Sequence, residues 1–143
     1  MMARAIIATG LVALGLGPAW NLAAAVAARP AIDFHCSVTG QIKGSPQLTR
    51  EAICARLAAA IEPAIKARLV RVASPPQGAA RRWVRIAVRL TPPARAEAAF
   101  TSRLGKAVRN HPPISVDVMD KRLDMREIDM LSRAVAERLH SAG

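Results

Sequence analysis

The sequence has little of what marks a catalytic or metal-binding protein. Only two of its 143 residues are cysteine, Cys36 and Cys54. They are not in CxxC spacing and no histidines are arranged around both of them, which leaves little support for a thiolate metal centre or a redox dithiol. No GxSxG elbow is present for serine catalysis, and no cofactor motif is specific, so neither cofactor nor metal is expected. The histidines His35, His111 and His140 are scattered, and no internal repeat appears. Acidic residues are few: 10 Asp and Glu stand against 21 Lys and Arg, for a formal net charge of +11.

The first 28 residues are different in kind from the rest. One charge in MMAR precedes the apolar run AIIATGLVALGLGP and the small-residue stretch AWNLAAAVAA, the order of a secretory signal peptide. Small-x-small sites at Ala25-Val26-Ala27 and Val26-Ala27-Ala28 place cleavage near residue 28, leaving a single domain over residues 29–143. The alternative is an uncleaved anchor helix, since residues 5–28 are long enough to span a bilayer, although Gly10, Gly15, Gly17, Pro18 and Asn21 interrupt it. No cysteine directly follows the apolar run, so a lipoprotein is not expected. Export to a periplasmic or extracellular space, with no membrane span after cleavage, is the expectation. In such a compartment the even cysteine pair reads as one disulfide.

The basic charge is uneven. Between Arg29 and His111 there are 15 Lys or Arg against 4 Asp or Glu, whereas residues 112–143 are nearly balanced. A basic body points to an anionic partner. Arginine also outnumbers lysine, 17 to 4, beside abundant alanine; GC-rich codon usage writes the same bias into solvent-facing positions, so composition alone leaves both readings open.

Hydrophobic periodicity gives the elements. AIDFHCSVTG alternates, with Ile32, Phe34, Cys36 and Val38 on one face, Asp33, His35 and Ser37 on the other, and Gly40 at its end. GSPQLTREAICARLAAAIEP reads as a helix opened by Ser45-Pro46 and stopped or kinked at Pro63, with a stripe of Cys54, Leu57, Ala58 and Ile61. Both cysteines thus fall on apolar faces that a helix packed on a strand would join. AIKARLVRVA is either more helix or a short strand with Val70 and Val72 inward. RRWVRIAVRL reads as a strand with Val84, Ile86, Val88 and Leu90 inward. Residues 96–108 suit helix or strand, and turns at TPP and NHPP favour a strand hairpin. PISVDVMD is a strand with Ile114, Val116 and Val118 inward. DMREIDMLSRAVAERLHSAG is a helix with capping-box spacing at Asp124 and Glu127 and a buried stripe of Ile128, Leu131, Val135 and Leu139. The sum is an α+β two-layer sandwich, in the order β-α-(β)-β-β-β-α: a mostly antiparallel sheet of four or five strands with two helices on one face.

The other sheet face is then open. On it lie Arg81, Trp83, Arg85 and Arg89, together with His35, Asp33 and Asp117. The bland reading is a solvated face with cross-strand ion pairs of a fraction of a kcal/mol each. The functional reading is a binding platform, with guanidinium groups holding phosphate or carboxylate and the indole adding contact area. The sequence therefore suggests a small exported, non-enzymatic binding or accessory domain. Its partner would be an anionic envelope polymer, a lipid headgroup or an acidic protein patch, with no physiological nucleic acid expected on compartment grounds. The alternative is a small metal protein or enzyme centred on His35 and neighbouring acidic residues, although strand alternation sends Cys36 to the opposite face.

Overall fold

The computed structural model describes residues 29–43, 45–77 and 81–142. The signal peptide, its cleavage site and the alternative anchor helix lie outside the described residues. Among those described, no helix is long and apolar enough to cross a membrane.

The first strand, β1 (Ala31–Thr39), keeps the alternation of its sequence: Ile32, Phe34, Cys36 and Val38 are buried and their neighbours are not. Gly40 ends it at φ 81, where a Cβ would lie 2.1 Å from the Leu90 carbonyl oxygen, so glycine is required there. Helix α1 spans Arg50–Ile65 and begins later than the Ser45-Pro46 expectation. Thr49 is its N-cap, extended at φ −83 and ψ 155, and its hydroxyl accepts from the Ala52 amide at 3.1 Å. Ser45 is instead buried, donating from Oγ to the Leu123 carbonyl at 2.7 Å across 78 residues of sequence. Pro63 lies inside the helix, which stops two residues later with Lys66 in the left-handed region.

The chain returns as the short strand β2 (Arg68–Arg71), parallel to β1. Its phase is opposite to the Val70 and Val72 expectation. Pairing of Leu69 with Ile32 sets Leu69 on the core side, while Val70, opposite Asp33, is 40% exposed. The Glu62 carboxylate accepts from the Leu69 amide at 3.0 Å and ties this edge strand to α1. Strand β3 (Trp83–Thr91) pairs with the other side of β1, also parallel. The turn at Pro92-Pro93, joined by a cis peptide, leads into β4 (Arg95–Arg103), which is a strand as expected and is antiparallel to β3.

The expected turn at NHPP is a correction: β5 runs Arg109–Asp117 and contains it. His111 pairs with Phe100 and Ile114 with Ala98, so Pro112 and Pro113 together face Ala99 in a bulge. An edge strand tolerates this, because prolines lack the donor only on a side where no neighbour asks for one. The sheet order is β2-β1-β3-β4-β5, with most of its paired backbone antiparallel.

Both helices cover one face, giving the two-layer α+β architecture. Cys36 and Cys54 meet between the layers in a disulfide with Cα atoms 5.9 Å apart. Helix α2 (Met125–Ala142) buries Ile128, Leu131, Val135 and Leu139 completely. Its start is a capping box: the Asp124 amide donates to Glu127 Oε2 at 3.0 Å and Asp124 Oδ1 accepts from the Arg126 amide at 2.8 Å. Glu127 is only 3% exposed and is paired with Lys121.

Burial alone would raise the Glu127 pKa, but the bonds from Lys121 and Asp124 outweigh it and bring it down from 4.5 to about 2. A carboxyl whose folded pKa is depressed stabilises the fold above its unfolded pKa and loses that stabilisation as pH falls through the folded value. Stability should therefore decline between pH 4.5 and about 2. A Glu127→Gln variant, less stable at neutral pH, should show a flatter decline by chemical denaturation across that window. An unchanged slope would mean that Glu127 does not contribute to it.

Candidate binding surface on the open sheet face

Strand register sets which side chains stand together on the uncovered face. Reading across the sheet from β1 to β5, one row is Asp33, Trp83 and Arg103; the next is His35, Arg85, Thr101 and Asn110; at the far end Thr39, Arg89, Glu97 and Ser115 align, followed by Thr91, Arg95 and Asp117. The expected stripe of Arg81, Trp83, Arg85 and Arg89 is thus on one face together with His35 and Asp33.

The arginines do not converge. Arg81 and Arg89 are eight residues apart, about 26 Å along a strand, with Arg85 about 13 Å from each. A single phosphate cannot take all three; only an extended partner reaches them together. Their surroundings also differ. Arg89 Nη2 lies 3.0 Å from Glu97, and Arg95 lies 3.4 Å from Glu97 and 3.7 Å from Asp117. That end of the face is neutralised from within. Arg81 sits 3.9 Å from Asp33 with its side chain 81% exposed, a contact too loose and wet to fix it.

Arg85 stands apart from both. It forms no ion pair among the described residues, and its guanidinium carbon lies 5.9 Å from the centroid of the Trp83 ring. A cation–π contact at this distance leaves the guanidinium N–H donors available to a partner. Trp83 is 4% exposed despite its place on the uncovered face. Its indole Nε1 and the His35 Nδ1 are both buried with no hydrogen-bond partner among the described residues. The two residues are diagonal neighbours, since His35 pairs with Arg85 and Asp33 with Trp83. Each unpaired buried polar atom costs roughly 1–3 kcal/mol, so this corner of the sheet is where the fold is least satisfied.

Sequence reasoning missed Arg95 and Glu97, the residues that quench the far end. Their alternation in β4 was legible, but the ladder that sets them beside Arg89 and Asp117 was not. His111, expected in a turn, instead stacks on Phe100 with centroids 4.7 Å apart, and its Nε2 is 2.8 Å from Ser102 Oγ. Burial, then Arg138 and Arg109, lower its pKa below 6.5. His140 Nδ1 is 2.9 Å from the Ala64 carbonyl and joins the C-terminal ends of the helices. Among the described residues, no three His, Cys, Asp or Glu side chains are placed to hold a metal ion. No protein-family model and no curated protein matches the chain.

Proposed function

We propose that this protein is a small exported, non-enzymatic binding domain that takes an anionic component or partner of the cell envelope on the open face of its sheet. The observation that carries the reading is the Trp83–Arg85 pair: a guanidinium with no carboxylate partner among the described residues, its central carbon 5.9 Å from the centroid of the Trp83 ring. A phosphate or carboxylate group would accept from the guanidinium N–H donors of Arg85 and supply its missing counter-charge. The signal-like N-terminus, the Cys36–Cys54 disulfide and the net charge of +11 support an extracytoplasmic place and an anionic partner. With the Arg89 end quenched, the working part of the face is the quarter around Asp33, His35, Trp83 and Arg85.

The indole N–H resonance of Trp83, assigned by its loss in Trp83→Phe, tests this. Titration with phosphatidylglycerol vesicles or soluble lipopolysaccharide fragments should shift or broaden that resonance while phosphatidylcholine vesicles leave it in place. A resonance indifferent to every anionic probe, under conditions where the probe binds the protein, would sink the assignment of the face.

A further inference from the structure

On the helix side of the sheet, at the end where both helices finish, lies a cleft of about 530 Å³. That is within the size range of small-ligand sites. Its apolar part comes from the half-buried Ile65 and Leu104. Its charged part is of one sign: Lys66, Arg82, Lys106 and Arg109 line it, and no Asp or Glu does so among the described residues. None of these four is within ion-pair distance of a carboxylate among the described residues. Arg82 is held in place by one bond, from Nε to the Leu104 carbonyl at 2.7 Å. Arg82 and Trp83 are consecutive and so point to opposite faces, which makes the cleft independent of the open-face surface.

The cations could be there only to balance the helix ends. Magnitudes decide against that. Each helix C-terminus presents about half a negative elementary charge, and the effect fades within the last turn. Two such ends amount to about one charge against four. At the cleft's base Ser102, 2% exposed, is bonded to His111 through a 2.8 Å contact between Oγ and Nε2. A polar base, apolar walls and a cationic rim require a ligand with an anionic head and an apolar body.

We infer that this cleft binds a single-chain anionic amphiphile, its carboxylate or phosphate head held by Lys106, Arg109 and Arg82 and its alkyl chain against Leu104 and Ile65. The head bonds to guanidinium in pairs, and the chain gains by leaving water. Isothermal titration of the protein with octanoate and with octyl phosphate, each below its micellar concentration, should show one saturable site, the tighter of the two identifying the head. Inorganic phosphate and octyl glucoside should each bind at least tenfold more weakly, because each lacks one half of the ligand. The double reversal Lys106→Glu and Arg109→Glu, at exposed positions where folding is unaffected, should weaken the amphiphile at least tenfold. Arg85→Glu on the other face should leave it unchanged. Equal affinity for octyl glucoside, equal affinity for bare phosphate, or indifference to the double reversal would each overturn the inference, as would no binding at all.

Discussion

Removing the Cys36–Cys54 bridge should cost about 3 kcal/mol, from the freedom that an 18-residue separation returns to the unfolded chain. For a domain of this size that is a fall of roughly 10 °C in Tm. Both sulfurs lie between the layers, with Cys54 fully buried and Cys36 8% exposed, so reductant should act slowly on the folded protein and quickly once it opens. The check is a thermal melt of wild type and of Cys36→Ala/Cys54→Ala in the presence and absence of reductant. The double variant should melt low in both buffers, and wild type should fall toward it only with reductant. Identical melts, or two alkylatable thiols in unreduced protein from an oxidising compartment, would contradict the bridge.

Leu131→Ala should be as severe. Leu131 is fully buried on the face of α2 that meets the sheet and α1, and such truncations cost 2–5 kcal/mol according to how far the site collapses. Val135→Ala, one turn on and equally buried, removes less volume and should cost less. Arg133, exposed, has a single weak bond from Nε to the Asp129 carbonyl at 3.4 Å, so Arg133→Ala should stay within about 0.5 kcal/mol. Denaturant unfolding of the three variants measures the order. Equal losses would mean that α2 presents another face to the core.

What was legible in the sequence was whatever periodicity alone determines. The β1 alternation and the stripes of α1 and α2 each have one phase that buries the branched aliphatic residues, and the two cysteines followed from the phases of β1 and α1. The β2 phase was not legible, because Leu69 and Val70 are adjacent and both apolar; only the parallel register with Ile32 chooses between them. The start of α1 was ambiguous because Ser45 and Thr49 are both good caps, and the choice rests on a buried bond to Leu123 far along the chain. NHPP has the composition of a turn, and only its place on an edge strand makes it a bulge. For the sheet face away from the helices, composition and alternation found Arg81, Trp83, Arg85, Arg89 and His35. They did not show that Glu97 and Asp117 neutralise one end, since that depends on cross-strand register, nor that Trp83 is buried with its N–H unpaired.

That difference between the two ends of the face gives the sharpest distinction between a specific surface and the general pull of a basic protein. A coulombic effect of net charge alone treats every exposed arginine alike and weakens with salt in proportion to charge. The decisive measurement is the affinity for anionic lipid vesicles, across a salt series, of wild type, Arg85→Glu, and the control pair Arg126→Glu/Arg133→Glu on the helical side. A specific face predicts at least a tenfold loss from the single reversal at Arg85, a smaller loss from the double reversal on the helices, and steep salt dependence in wild type. A double reversal that weakens binding as much as or more than Arg85→Glu, or binding that ignores salt, would contradict the account.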